Sequence, residues 1–214
     1  MMTSNTNKIY NFTDKEFDDI RPIYDREVEQ EIEHLLNDKT FRSVAEPALK
    51  PIAWSDFSKQ MREINTIHDF QTKVIYSTIM MFMKENVSKR SLLNPRKIDL
   101  NQSHTYISNH RDIILDAGLL NISLNEHGYD TTEIAIGDNL LIYPWITTLV
   151  RLNKSFIVKR NMPARQLLKA SQHLSEYMYK TITEKKQSVW IAQREGRAKD
   201  SDDRTQASLL KMLA

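Results

Sequence analysis

The sequence of 214 residues has no cysteine and very little glycine. Without cysteine the chain has no disulfide, no thiolate ligand for a metal ion and no cysteine nucleophile. The four glycines stand far apart, at Gly118, Gly128, Gly137 and Gly196. A phosphate-binding P-loop and a dinucleotide-binding turn both require closely spaced glycines, so this distribution excludes both kinds of nucleotide site.

Long apolar segments and a strong net charge are also missing. The best apolar candidate, Leu140–Val150, is shorter than the roughly 20 residues that a membrane-spanning helix needs. Residues 1–40 are polar and heavily charged, so no apolar core of a secretory signal follows Met1. Because 30 basic residues are balanced by 28 acidic ones, nucleic acid is not an expected partner. We expect a cytoplasmic protein that can contact the inner face of the cell membrane.

Hydrophobic spacing divides the chain near residue 100. Before this point, apolar side chains recur at the spacing of helices. The helices predicted from this spacing are Asp25–Asn37, Trp54–Ile67 and His68–Glu85. The polar stretch Ser88–Asp99, which contains a proline, is typical of a linker. We therefore predict an N-terminal helical domain over residues 1–100 and a second domain over residues 101–214.

After residue 100, short apolar runs alternate with longer helical stretches. The predicted strands are Tyr106–Ser108, Glu133–Ile136, Ser155–Val158 and Ser188–Ala192. The predicted helices between them are Asp112–Leu120, Leu140–Leu152 and Pro163–Glu184. Strands that alternate with helices indicate an α/β fold with a mostly parallel sheet flanked by helices.

The first candidate for chemistry is the polar turn Ser108–Asp112, which connects a predicted strand to a predicted helix. It contains His110, and histidine is well suited to accept the proton of an alcohol at neutral pH. A carboxylate at Asp112 or Asp116 can accept the other ring N–H and stabilise the imidazolium that forms. A surface turn with acids that complement a helix dipole would have the same composition. A protein-kinase loop is excluded, because Ala117 stands where that loop needs an asparagine.

Two further polar groups follow later predicted strands. Lys159 and Arg160 are cations that can bind a phosphate, although such pairs also occur at solvated strand edges. In the second group, Gly196 allows close backbone approach, and Glu195 with Arg197 can hold a polar substrate or simply close the strand in a charged turn. The carboxyl ends of parallel strands meet at the edge of the sheet where ligands bind, so we expect the three groups to converge there.

In this order, the three groups resemble the first three sequence blocks of the phospholipid/glycerol acyltransferase family, over about residues 106–203. Asn109–Arg111 is similar to the histidine-containing block of that family. Phe156–Arg160 is similar to its aromatic-Ile-x-Arg strand, and Trp190–Arg197 to its Glu-Gly-x-Arg turn. The sequences of Ser108–Leu115 and Trp190–Lys199 in particular are similar to those of a bacterial branch of glycerol acyltransferases.

The resemblance implies transfer of a fatty acyl group from acyl-CoA or an acyl-carrier protein to a hydroxyl of glycerol 3-phosphate or a lysophospholipid, in phospholipid biosynthesis. His110 would be the general base, oriented by Asp116 or Asp112. The residues implied for binding the acceptor are Arg111, Lys159, Arg160, Glu195, Gly196 and Arg197. The family needs no metal ion and no cofactor beyond the thioester co-substrate, and its members work at a membrane surface.

The chain departs from the family pattern in three places. Five residues separate His110 from Asp116 where the family has four, and one extra helical residue would rotate the carboxylate by about 100°. Asp112 therefore stays an alternative partner. The run Glu195–Arg197 lacks the residue that usually stands between glycine and arginine. No fourth block is found, so we expect the C-terminal part of the family fold to be missing, which makes this chain by itself an inactive fragment.

Two hypotheses from other classes stay open. The chain could be a non-catalytic module of the same fold that binds a lipid or a phosphate. Alternatively, it could be an interaction protein in which the helices of residues 1–100 provide the function.

Overall fold

The computed structural model describes residues 14–86, 89, 91, 98–160, 162–200 and 203–213. Most of the predicted linker Ser88–Asp99 lies outside these residues. Within the described part of the chain, no helix combines the length and apolar composition that crossing a bilayer requires.

The first part of the chain is helical. Its helices are α1 (Val28–Asn37), α2 (Lys39–Ala48), α3 (Trp54–Arg62), α4 (Ile67–Asp69) and α5 (Tyr76–Asn86), with 3-10 turns at Asp14–Phe17 and Asp25–Glu27 and a π-helix at Phe70–Ile75. Helix α2 was not predicted; Phe41 is its single buried residue, and Pro47 lies inside it. It begins instead at a cap, where Asp38 Oδ1 accepts hydrogen bonds from the N–H groups of Thr40 and Phe41 at 2.8 and 2.9 Å.

The second part contains the sheet and its flanking helices. The strands are β1 (Thr105–Ser108), β2 (Glu133–Gly137), β3 (Ser155–Val158) and β4 (Val189–Ala192). The helices are α6 (Leu115–Glu126), α7 (Pro144–Leu152), α8 (Ala164–Thr183) and α9 (Ala207–Leu213), with a 3-10 turn at Asp138–Leu140. All four predicted strands are therefore present, with ends within one residue of the prediction.

The strands form one parallel sheet in the order β1-β4-β2-β3. The predicted α/β fold with a parallel sheet is confirmed. Strands β3 and β4 are buried almost throughout, as expected for a parallel sheet that has helices on its faces.

The helical first part packs directly on the sheet and its helices. Phe17 and Ile20 belong to the same apolar cluster as Phe156 of β3 and Tyr177 of α8. The N–H of Ile157 donates to the carbonyl of Ile20 at 2.8 Å, so the segment at Ile20 covers the outer edge of β3. A second cluster joins α1 and the π-helix to Leu152 of α7. The division of the chain into domains at residue 100 stays a prediction.

Candidate active site

The loops that follow the four strands meet at one edge of the sheet, because all strands run in the same direction. Ser108 and Ala192, the last residues of β1 and β4, pair in register, and so do Gly137 and Val158 at the ends of β2 and β3. Residues at and just beyond these ends line an open cavity of about 870 Å³, which we call the central cavity. This is the edge at which open α/β sheets bind ligands.

The central cavity brings together residues from the segments after β1, β3 and β4. Its lining includes His110, Arg160, Glu195, Gly196 and Arg197. These residues are distant in sequence, and the parallel arrangement of the strands places them side by side. A histidine, an acid and two arginines therefore face one space large enough for a small-molecule substrate.

His110 is paired with Asp116 at the side of this cavity. Its Nδ1 lies 3.1 Å from Asp116 Oδ2, and the two side chains are only 18% and 15% exposed. The same oxygen accepts the N–H groups of Arg111 at 2.8 Å and Asp112 at 3.1 Å. With Nδ1 in contact with the carboxylate, Nε2 is the ring nitrogen that a substrate in the cavity would meet. This arrangement suits a general base whose tautomer is held by a carboxylate.

The extra residue between His110 and Asp116 is accommodated in the turn. Asp112 Oδ1 accepts the N–H groups of Ile114 and Leu115, both at 2.8 Å, and α6 begins only at Leu115. The residues between the histidine and the helix are not helical, so the rotation of about 100° expected from helix geometry does not arise. Asp116 thus reaches His110, whereas the Asp112 oxygen is engaged at the start of α6.

Arg111 is not among the residues that line the central cavity, and its side chain binds the segment after Gly196. Its guanidinium contacts Asp203 Oδ2 at 2.6 Å and the carbonyl of Asp200 at 2.5 Å. Asn109 Nδ2 donates to the same oxygen of Asp203 at 2.8 Å. The structure therefore places Arg111, predicted to bind the acceptor, in a link between two loops of the site. A backbone bond from Ala198 N–H to the carbonyl of His110, at 2.7 Å, strengthens this link.

Arg160 lies over the end of β2 and reaches the loop after β4. Its backbone N–H donates to Asp138 Oδ1 at 3.1 Å, and its guanidinium lies 3.4 Å from Glu195 Oε1. Gly137 permits this position, because a Cβ there would lie 3.2 Å from Arg160 Nε and would also meet the side chain of Asn139. Gly137 was not among the residues predicted from the sequence to form the site. Its position at the carboxyl end of a predicted strand indicates that it lies at the edge of the sheet where ligands bind.

Lys159 belongs to a different cavity, although it is the neighbour of Arg160 in sequence. It forms an ion pair with Asp19, whose other oxygen lies 3.1 Å from His173 Nε2. Burial raises the pKa of Asp19, but hydrogen bonds and charges from Lys159 and His173 outweigh burial and lower this pKa below its usual range. These three residues line a cavity of about 430 Å³, so Lys159 does not join the central cavity.

Basic side chains outnumber acidic ones in the lining of the central cavity, and only some of these basic residues were predicted from the sequence. Besides Arg160 and Arg197, its lining includes Arg194 and Lys211 of α9, which sequence reasoning did not select. Glu195 is the one carboxylate among the described lining residues. Four cations against one acid favour an anionic ligand such as a phosphate. Among the described residues, no cluster of three or more His, Asp or Glu side chains could hold a metal ion.

An apolar cavity of about 320 Å³ adjoins the central cavity. The two share Ile113, Ile134 and Ile136 in their linings. The apolar cavity lies between the sheet, α6 and the helical run Gln71–Ile79. Half of its lining residues are aliphatic, and polar side chains that include Thr72, Asn125 and Asn153 line it as well. An apolar chain that extends from the central cavity past Ile113 would therefore contact these aliphatic side chains.

A scan against models of protein families and a search of curated proteins both find no match to this chain. The likeness to acyltransferases therefore rests on the short sequence blocks and stays a hypothesis.

Proposed function

We propose that this protein transfers a fatty acyl group from acyl-CoA or an acyl-carrier protein to a hydroxyl of glycerol 3-phosphate or a lysophospholipid. The observation that carries the proposal is the pair of His110 and Asp116 at a cavity with cations on its lining and an apolar extension beside it. A base, an anion site and an apolar site are the three parts that such a transfer needs.

In the proposed reaction, His110 Nε2 accepts the proton of the acceptor hydroxyl as the oxygen attacks the thioester carbonyl. Asp116 holds the ring through Nδ1 and stabilises the imidazolium. When the tetrahedral intermediate collapses, the carbon–sulfur bond breaks and the imidazolium returns the proton to the leaving thiolate. The ester and the free thiol account for all atoms, and the chain needs no covalent intermediate or metal ion for this step.

The acceptor's phosphate would bind among the cations of the central cavity. Arg160 and Arg197 are the phosphate-binding residues that the sequence pattern predicts. Arg194 and Lys211 line the same cavity and are further candidates for binding the phosphate. Glu195, which lies beside the Arg160 guanidinium, would orient that guanidinium or bind the remaining hydroxyl of the acceptor. Arg111 and Lys159 have no place in this step, because both are engaged with carboxylates outside the cavity.

The acyl chain would lie in the apolar cavity, with its carbonyl beside His110. Leu167 and Leu168 of α8 line the central cavity and are exposed to solvent, which fits contact with a membrane surface from which a lipid acceptor enters. We propose a cytoplasmic protein that works at the inner face of the cell membrane, with residues 1–100 as an N-terminal helical domain.

A second candidate function is phosphate or lipid binding without transfer. The excess of cations in the central cavity supports it independently of the histidine. In that case the protein would bind a phosphorylated lipid and release no thiol from any acyl donor.

Thiol release from palmitoyl-CoA and from palmitoyl-carrier protein, with either acceptor, tests the proposal on the full-length protein. We expect release that depends on one acceptor and falls by about a hundredfold or more in His110→Ala. The matched control is His127→Ala, which replaces an exposed histidine at the end of α6 whose Nδ1 contacts the carbonyl of Ser123. Near-normal release by folded His110→Ala would rule out the mechanism. Phosphate-ligand binding without release from any donor would favour the second candidate.

A further inference from the structure

The first turns of α8 are not packed into the core of the protein. All side chains of Arg165–Lys169, which we call the exposed segment, are exposed. The first buried side chain among the described residues of this helix is that of Leu174. Two open cavities border the exposed segment, because Leu167 and Leu168 line the central cavity and Lys169 lines the cavity of about 430 Å³. The exposed segment is therefore open to a binding partner.

Large aliphatic side chains in the lining of the central cavity are exposed. In the exposed segment, Leu167 is 37% exposed and Leu168 is 66% exposed. In the turn before α6, Ile113 is 46% exposed and lines the same cavity. These side chains come from segments far apart in sequence, so the cavity is the feature that they share. Exposed apolar side chains grouped at one site mark a surface that binds a protein or a membrane.

The charges beside the two leucines are positive. Arg165 stands three residues before Leu168 and four before Lys169, so it is a neighbour of both on the helix surface. No carboxylate among the described residues pairs with Arg165 or Lys169, and α8 contains no acid before Glu176. The acid that shares a cavity with Lys169 is Asp19, which two other side chains engage. The exposed segment thus has two cations available for an anionic partner.

An anionic lipid surface fits this combination better than a second protein does. A stable protein interface buries about 1,200 Å² or more in total, and so short a segment supplies only a small part of that area. A bilayer requires no complementary shape, because apolar side chains enter below the headgroups while the long side chains of Arg and Lys extend to the phosphates. Each such cation near an anionic surface strengthens binding about fivefold.

We propose that the exposed segment binds anionic membranes, with Leu167 and Leu168 below the lipid headgroups and with Arg165 and Lys169 on headgroup phosphates. The purpose of this contact rests on the proposed function, since it would open the central cavity towards a lipid acceptor. Ile113, in the lining of the same cavity, would then lie near the membrane surface. Binding to the bilayer does not require acyl transfer, so the two can be measured separately.

Sedimentation of the protein with lipid vesicles measures this contact. The two probes are vesicles of phosphatidylcholine alone and vesicles in which about one third of the lipid is phosphatidylglycerol. We expect the protein to bind the anionic vesicles about tenfold or more tightly than the neutral ones, because two cations of the exposed segment approach the surface. Raising the salt concentration from about 0.1 M to about 1 M should weaken this binding, since salt screens exposed charges.

Leu168→Ser should weaken binding to the anionic vesicles about tenfold, because it removes the most exposed apolar side chain of the segment. The matched control is Tyr179→Ser, which removes an exposed aromatic side chain from the carboxyl-terminal half of the same helix and should change binding little. The sequence contains no cysteine, so Leu168→Cys and Tyr179→Cys each provide a single site for an environment-sensitive dye. With anionic vesicles, the emission of the dye should shift to shorter wavelength at residue 168 and stay unchanged at residue 179.

The cations are tested by the double variant Arg165→Gln with Lys169→Gln, which should weaken binding to the anionic vesicles about tenfold or more. Its control is Lys39→Gln with Lys59→Gln, which removes two exposed cations from α2 and α3 and should change binding little. His110→Ala should bind vesicles as the original protein does, so a failure of acyl transfer is distinguishable from a failure of membrane binding.

Absence of binding to the anionic vesicles would overturn the proposal. Binding that neither Leu168→Ser nor the double variant Arg165→Gln with Lys169→Gln weakens would overturn it as well. Binding of an acidic carrier protein that depends on these same side chains, without binding to vesicles, would assign the exposed segment to a protein partner and would equally contradict a membrane contact.

Discussion

The Arg160 guanidinium lies close to the backbone of Gly137, where a methyl group on residue 137 would make a tight contact with it. A Cβ at residue 137 would lie 3.2 Å from Arg160 Nε and 3.3 Å from Arg160 Cζ. The absence of a side chain at the last residue of β2 therefore allows the cation after β3 to approach the strand this closely. Because these two strands are neighbours in register at Gly137 and Val158, the contact is a direct result of the strand pairing.

We expect Gly137→Ala to raise the KM for a phosphorylated acceptor several-fold, because the added methyl group displaces the Arg160 guanidinium and the Asn139 side chain. The control is Gly128→Ala, at a residue with φ of +78° after α6 and away from the cavity. This control should lower stability by about 1 kcal/mol through backbone strain and leave KM unchanged. Steady-state kinetics and thermal melting of both variants check the pair. An unchanged KM in Gly137→Ala would show that acceptor binding does not depend on this position of the Arg160 guanidinium.

The adjacent cations Lys159 and Arg160 should differ in their effect on acceptor binding. Arg160→Gln removes a cation that lines the central cavity, and we expect KM for the acceptor to rise about ten- to a hundredfold. Lys159→Gln removes a cation that is paired with Asp19 in another cavity, and KM should stay within about twofold of the original. Phosphate-ligand titration gives the same comparison if turnover is absent. A larger effect from Lys159→Gln than from Arg160→Gln would contradict the arrangement of the site.

Substitutions of Asp112 and Asp116 should likewise differ in their effect on the rate of acyl transfer, because only Asp116 contacts His110. Asp116→Asn places an amide against His110 Nδ1 and removes the charge that stabilises the imidazolium. We expect the rate of acyl transfer to fall by roughly two to four orders of magnitude. Asp112→Asn keeps an oxygen that can accept the N–H groups of Ile114 and Leu115, so transfer should change little. Thiol release by the two folded variants measures this difference. Equal losses of thiol release would mean that activity depends on the structure of the turn rather than on the pair of His110 and Asp116.

Glu133 and Lys185 form a buried ion pair, and we expect the stability of the folded protein to depend on it. Glu133 Oε1 lies 3.1 Å from Lys185 Nζ, with side-chain exposures of 5% and 12%. The hydroxyl of Tyr177 donates to the other Glu133 oxygen, and the pKa of Tyr177 is raised well above its usual range, by burial first and then by the Glu133 carboxylate. We expect Lys185→Met to lower the free energy of unfolding by about 3 kcal/mol, because it leaves a buried carboxylate without its cation.

Urea unfolding at neutral pH measures this loss. The double variant Glu133→Gln with Lys185→Met should recover most of the stability, because it removes both charges. Lys180→Met, in the last turn of α8, is the control, since its ion pairs with Glu16 and Glu176 involve more exposed side chains. A loss in Lys180→Met as large as in Lys185→Met would argue against burial as the cause.

Local sequence pattern determined the strands of the second half of the chain, whereas the predicted helix Asp112–Leu120 is shifted in the structure to Leu115–Glu126. Each strand is a short apolar run next to a polar turn, and this pattern depends only on residues within a few positions of one another. The alternation with helices was enough to predict a parallel sheet, and a parallel sheet was enough to expect polar residues after its strands at one edge.

Tertiary structure decided which of these residues share a cavity. Lys159 and Arg160 are equivalent by composition, but the fold places the first against Asp19 and the second against Gly137. Asp112 and Asp116 are both acids near His110, and only the non-helical turn before α6 shows which one reaches it. The contribution of Lys211 depends on where α9 packs. These outcomes follow from contacts between segments far apart in the chain, and local periodicity contains no information about such contacts.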